Sequence, residues 1–241
     1  MTKNKTKPEQ TRKKRQKTSG RGTEMISKRG LITVISGPSG TGKGTLISGL
    51  MEIDSDMHYA VSATTREKRY GETEGISYHF KTREEFEELI GKGEVLEWDE
   101  FCGNKYGTLR SELETKIEKG LDVILDLTVK GAMAIKTAFP EDSITVFILP
   151  PSIEELENRI RGRKRETEEQ LRDRLAEAEK EIACFSDFDY VLVSDSITEA
   201  PKKLKNIIDA ERRKVRRNPD ILDVLGLPDL RGANNERGNK L

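Results

Sequence analysis

The chain predicts an α/β fold with a parallel sheet, on three observations. Four apolar runs, at 31–35, 121–127, 144–149 and 190–193, read as short strands buried on both faces. Helical patterns lie between and after them, so the strands are joined by crossovers and pair in parallel. Directly after the first run comes a glycine-rich stretch, Gly37-Pro38-Ser39-Gly40-Thr41-Gly42-Lys43-Gly44-Thr45.

The first strand, Leu31 to Ile35, feeds that stretch, and Leu46, Ile47 and Leu50 beyond it have the spacing of a helix face. Glycines let successive backbone N–H groups point at one anion, and Lys43 adds a full positive charge. All nine residues are therefore candidates to cradle the phosphates of a nucleoside triphosphate, with Lys43 also a catalytic candidate. The expected fold is a P-loop NTPase-type parallel sheet flanked by helices. One departure from G-x-x-x-x-G-K-[ST] stands out: position 44 is glycine, and the hydroxyl comes one place later, at Thr45. Further on, Thr82-x-x-Glu85 and Ser152-x-x-Glu155 read as capping boxes that open helices. Pro150-Pro151 ends the strand at 144–149. Thr167-x-x-Gln170 opens the longest helix, to about Phe185, with Leu171, Leu175, Ala178 and Ile182 on one face.

A length of 241 residues suits one α/β domain with insertions or two small lobes. Hydrophobic residues make up 34% and charged residues 36%, so part of the chain is expected to stand outside the core. The overall charge of zero hides an asymmetry. Residues 1–29 hold eleven Lys or Arg and two Glu, about +9, which leaves about −9 for the rest. That leader reads as a disordered, solvated tail. It has no aromatic residue to stack on bases, so nucleic acid is not an expected partner beyond weak contact by the tail itself. No apolar stretch follows its charges as a signal peptide requires, and no run is long enough to span a membrane. Cys102 and Cys184 are too few and too far apart for a disulfide framework or a metal site, and fit a reducing cytoplasm.

Residues 63–109 break the strand–helix rhythm with short strand-like pieces, many glycines and most of the aromatics, and read as an insertion over the sheet. Phe80, Phe86 and Trp98 are the expected core of that lobe. The insertion and its approach hold Ser62-Ala63-Thr64-Thr65-Arg66, Arg69, Gly71-Glu72-Thr73-Glu74-Gly75, Tyr78, Glu97-Trp98 and Gly103-Asn104-Lys105-Tyr106-Gly107-Thr108. With GPSGTGKGT before them and ILPPS plus an arginine-rich stretch after, the chain resembles the guanylate kinases from about Gly30 to about Arg213.

The resemblance implies ATP and GMP as partners, Mg²⁺ arriving with ATP, and transfer of the γ-phosphoryl group to give ADP and GDP. It assigns GMP to Ser62, Arg66, Arg69, Tyr78, Glu97, Tyr106, Thr108 and Asp126. The chemistry agrees. Arg66 and Arg69 offer forked donors to a dianionic phosphate, and the hydroxyls of Tyr78 and Tyr106 can complete the cage. Guanine presents two donors side by side, at N1 and the exocyclic amine, which one carboxylate such as Glu97 accepts together, while Ser62 can reach O6. Adenine lacks that pair, so a buried carboxylate left unmatched discriminates against it. Arg159, Arg163 and Arg174 are implied as lid residues that reach the triphosphate and, with Lys43, neutralise the phosphoryl group in flight. Arg161, Lys164 and Arg165 are left as surface.

The implied organisation is a basic tail (1–29), a P-loop core (30–62, 110–155 and 176–215), a GMP-binding insertion (63–109), a helical lid (156–175) and a loose C-terminal tail (216–241). Besides Gly44, the chain departs from the family at Lys68, where a proline is usual, and at Thr128 and Lys130, which replace the second aspartate and the glutamine of D-I-D-x-Q-G. Ser194 stands where an asparagine usually meets the adenine. Two other readings remain open at this point: a related kinase with another acceptor, such as a ribose bisphosphate, and a non-catalytic binding module that has kept the fold.

Overall fold

The computed structural model describes residues 29–162 and 167–227. The basic leader as far as 28, Arg163 with its three following neighbours, and the end of the chain beyond 227 lie outside the described residues. In chain order the elements are β1 (Ile32–Ser36), α1 (Lys43–Ile53), β2 (Met57–Tyr59), β3 (Ala63–Thr64), β4 (His79–Phe80), α2 (Arg83–Gly91), β5 (Val95–Phe101) and β6 (Asn104–Leu109). They continue as α3 (Arg110–Glu118), β7 (Asp122–Asp126), α4 (Val129–Ala138), β8 (Ser143–Leu149), α5 (Ile153–Arg161), α6 (Glu168–Ala183), β9 (Tyr190–Val193), α7 (Glu199–Arg212) and α8 (Ile221–Val224).

Five strands form one sheet in the order β2-β7-β1-β8-β9, every pair parallel. All five residues of β1 are buried, because its alternating side chains enter two apolar layers. On one side Ile35 packs with Leu46 and Leu50 of α1 and Leu204 and Ile208 of α7. On the other, Ile32 and Val34 pack with Leu113 and Ile117 of α3 and Ala132 and Ile135 of α4. Each such burial is worth about 1.5–3 kcal/mol. All four apolar runs are strands, but β9 is not buried on both faces: it is the sheet edge, with Leu192 buried and Val191 and Val193 exposed. The fifth, β2, has no such signal. It is a three-residue edge strand in which only Met57 is buried, and His58 and Tyr59 interrupt any apolar pattern.

The second sheet, β4-β3-β6-β5, belongs to the 63–109 segment. Phe86 is fully buried there with Ala63 and Leu109. Trp98, expected in that core, is 42% exposed. It follows Glu97 on edge strand β5, so the two point to opposite faces, and Trp98 is left outside with the Lys105 ammonium 4.2 Å from its ring centre.

Thr82 and Thr167 each make both bonds of a capping box. Ser152 makes only its own, accepting from the Glu155 amide. The Glu155 carboxylate accepts instead from Arg159 Nε at 2.9 Å. The expected loose end does not begin at 216. Residues Val215–Arg217 form a 3-10 turn and α8 follows. Arg217 is buried because its guanidinium satisfies backbone carbonyls of Glu141 (2.9 Å), Arg29 (3.2 Å) and Gly30 (2.8 Å). Among the described residues no helix is long and apolar enough to cross a membrane.

Candidate active site

The glycine-rich stretch runs from the end of β1 to the first turn of α1. Gly37 has φ 136°, and a Cβ there would fall 2.4 Å from the Ile148 carbonyl oxygen of β8, so both conformation and space demand glycine. Gly42 occupies the cap position of α1 and supplies no side-chain cap. The first-turn amides are thereby left for an outside anion, at the positive end of the helix dipole. Lys43 Nζ arches back to donate to the Gly37 carbonyl at 2.6 Å. It stands 3.9 Å from Asp126 Oδ1.

Asp126 ends β7, and Ile35 near the end of β1 is its register partner. The crevice therefore lies at the carboxyl ends of neighbouring parallel strands, where open α/β sheets bind ligands. Burial pushes the Asp126 carboxyl above its ordinary range, and Lys43 opposes that shift. Two cavities meet at the loop. One of about 560 Å³ is lined by Lys43, Thr45, Asp126, Thr128 and Glu181. The other, about 650 Å³, is lined by Thr45, Glu155, Arg159, Ser194 and Ile197. Gly40 and Gly42 line both.

Of the three expected lid arginines, Arg159 sits on α5 against the loop. It donates to Thr41 O (3.3 Å) and Ser194 O (3.1 Å) as well as to Glu155. Arg174 is exposed on α6, and Arg163 lies outside the described residues. Arg161 is at the surface, tied to Glu157 and Glu168. Sequence reasoning missed Glu181, whose carboxyl is raised by burial and lowered by Lys43. Its signal was available: it is seven places after Arg174 and so shares its helix face.

On the lobe, Arg66 is held by Glu72 through a forked pair, 2.6 Å from one guanidinium nitrogen and 3.1 Å from another. The same carboxylate accepts the Arg69 amide at 2.8 Å, and these bonds hold it below the usual carboxylate range. The Arg66 guanidinium lies 5.4 Å from the Tyr78 ring centre. Tyr78 meets Tyr106 edge-on at 6.0 Å. Glu72, which the sequence motif contained without a role, thus holds the Arg66 guanidinium and the Arg69 backbone, and Arg66 in turn lies against Tyr78, which meets Tyr106. Ser62 borders β3, its carbonyl accepting from the His79 amide at 2.9 Å.

Glu97 Oε1 accepts from the buried Thr108 hydroxyl at 2.6 Å. Burial pushes the Glu97 carboxyl up, against the lowering effect of that bond. Of the departures, Thr128 caps α4, accepting from the Gly131 amide at 3.2 Å. Lys130 is exposed, and Ser194 lines the larger cavity.

A parallel sheet with a glycine-rich loop at its carboxyl end, faced by a small lobe with clustered arginine, tyrosine and carboxylate, defines a P-loop kinase of small phosphorylated acceptors. The family model described as guanylate kinase matches residues 28–211. A guanylate kinase of Desulfitobacterium hafniense (strain Y51) is 46% identical over 197 residues, 82% of this chain and 98% of the relative. One of Oceanobacillus iheyensis is 44% identical over 193 residues, 80% of this chain and 93% of the relative. A crystal structure of guanylate kinase from Anaplasma phagocytophilum superposes with a TM-score of 0.63 at 35% identity, covering 83% of this chain and 96% of that one. The chain belongs to the guanylate kinase family.

Proposed function

We propose that the chain transfers the γ-phosphoryl group of ATP to GMP, giving ADP and GDP, in cytoplasmic purine nucleotide metabolism. The reading is supported by two unlike binding surfaces, a loop and a lobe, joined through α4, whose Gly131 packs on Glu97 and whose cap Thr128 lines the loop cavity. One is a loop of uncapped amides with Lys43 3.9 Å from Asp126. The other is a lobe with a partly buried carboxylate, Glu97, and an arginine–tyrosine cluster.

In this reading residues 37–45 hold the ATP phosphates and the cavity beside Ser194 takes the adenine. Arg66, Arg69, Tyr78 and Tyr106 hold the GMP phosphate. Glu97, Thr108 and Ser62 read the guanine, and Asp126 stands between the two nucleotides. Arg159, Arg163, Arg174 and Lys43 offset charge on the phosphoryl group in transit. No general base is required, because the acceptor phosphate has a second pKa near ~6 and is mostly deprotonated at neutral pH. Catalysis is alignment, charge compensation and exclusion of water as lid and lobe close on both nucleotides.

The donor set fits Mg²⁺ carried on phosphates. Thr45 and Asp126 share the 560 Å³ cavity, and Mg²⁺ needs only one or two protein oxygens when phosphates and waters supply the rest. When bound, the ion draws charge from the phosphate oxygens.

The test is an acceptor panel with ATP and Mg²⁺: GMP, AMP, UMP and ribose bisphosphate, read as nucleoside diphosphate or ADP formed. GMP is expected to lead by at least about 10²-fold in kcat/KM. Preference for another acceptor, or no turnover with any, overturns the reading.

A further inference from the structure

We infer that Gly131 is a positioning residue for base recognition: its missing side chain leaves the room in which the Glu97 carboxylate lies. The inference rests on the proposed role of Glu97 and deepens it.

Gly131 lies in the first turn of α4, buried, where glycine is a poor choice on helix propensity. Its conformation does not require glycine, since it is not among the residues with positive φ. The requirement is spatial. A Cβ at 131 would lie 3.2 Å from Glu97 Oε2, 3.4 Å from Glu97 Cγ and 3.3 Å from Leu127 Cβ. These contacts are tighter than side chains ordinarily accept, so something must yield by a few tenths of an ångström. Leu127 Cβ is bound directly to the backbone and cannot move independently of it. Glu97 is the freer partner, but its other oxygen is fixed by Thr108 at 2.6 Å. Displacement therefore falls on the carboxylate, turning it about the Thr108 bond.

Two parallel acceptor oxygens must match two donors of the purine at once. A turn of the carboxylate spoils one bond before the other. The defect belongs to the nucleobase and not to its phosphate, which the Arg66 cluster would hold separately. Thr128 reinforces the arrangement from beneath: it accepts from the Gly131 amide at 3.2 Å and so fixes the height of this helix turn against β5.

The test compares GMP with inosine monophosphate, which keeps N1–H but lacks the exocyclic amine, in the full chain. Gly131→Ala is expected to keep or raise Tm and to leave KM for ATP within about twofold. Its preference for GMP over inosine monophosphate in kcat/KM should fall by about tenfold, the scale expected of a sub-ångström misplacement. Glu97→Asp shortens the side chain and restores the space, so adding Gly131→Ala to it should cost less than about twofold in the same preference. An unchanged preference in Gly131→Ala overturns the inference, as does an equal loss toward ATP and GMP accompanied by a lower Tm. Failure of both alanine-bearing variants to fold also overturns it, since it assigns the glycine to packing. Glu97→Gln separates the two levels. If it retains the wild-type preference, the base-reading role itself falls. If it loses that preference while Gly131→Ala does not, only the glycine inference falls.

Discussion

The loop and the lobe are built by opposite means. The loop between β1 and α1 works through backbone: amides left uncapped at Gly42, a conformation only glycine tolerates at Gly37, and one lysine. The lobe works through side chains that arrive from distant places and hold one another, Arg66 on Glu72 and Glu97 on Thr108. A backbone cradle is robust to everything except the loss of its shape or its single charge. A side-chain cradle depends on each supporting partner, so it should fail in several graded ways. Affinity for phosphate should separate from recognition of the base.

The severest break is expected on the backbone side. Lys43→Ala removes the one full charge of that loop, and kcat with GMP is expected to fall by about 10³-fold, the scale of losing a preorganised charge-stabilising donor. Thermal stability should change little, because the ammonium is held only by loop carbonyls and by Asp126 at 3.9 Å. Steady-state kinetics alongside a melting curve checks this. A drop of less than tenfold would mean that the amides and the arginines carry the charge in flight without the lysine.

The same contrast explains what was legible in the chain. The loop and the four apolar strands are each written in contiguous sequence, although β9 turned out to be a half-exposed edge, and Leu31 through Thr45 specifies both conformation and chemistry. Capping was legible for Thr82 and Thr167 and half legible for Ser152, because the competing partner, Arg159, is a side chain whose preference no local spacing reveals. β2 was invisible, since three residues on a sheet edge bury only one apolar side chain. On the lobe the residue types were readable but their supports were not. Glu72 sat in the motif without a role, and Glu181 came to the loop cavity by way of a helix face. Trp98 was assigned to the core on residue type alone, whereas an edge strand turned it outward.

A milder break follows on the lobe. Glu72→Ala frees Arg66 from its forked partner and releases the Arg69 amide. The Arg66 guanidinium keeps its charge but loses its preset orientation, and the backbone at Arg69 loses an anchor, so KM for GMP is expected to rise by about tenfold with kcat changed less. KM for ATP should hold. The base preference should hold too, because Glu97 has separate support. Initial-rate kinetics with GMP and inosine monophosphate resolve these effects. Equal losses in base preference and phosphate affinity would show that the lobe acts as one unit.

The smallest effect sharpens the comparison without catalysis. Burial raises the Glu97 carboxyl above its unfolded value, so the folded chain binds that proton more tightly than the unfolded chain does. Its stabilising contribution is whole below the unfolded pKa, near ~4.3. It is lost as pH rises through the folded value. Above that pH the wild type bears a partly buried charge whose only side-chain hydrogen bond among the described residues comes from Thr108, held ready for a ligand with two donors. Glu97→Gln removes the charge and keeps an acceptor for Thr108. Its Tm is therefore expected to exceed that of the wild type at pH 8, with the difference shrinking toward pH 4. Saturating GMP should reverse the order at pH 8, because only the wild type gains the paired donors. Melting curves at the two pH values, with and without GMP, separate the outcomes. A variant less stable than the wild type at pH 8 without nucleotide would mean that the carboxylate is already fully satisfied, and that the lobe stores no cost for the base to relieve.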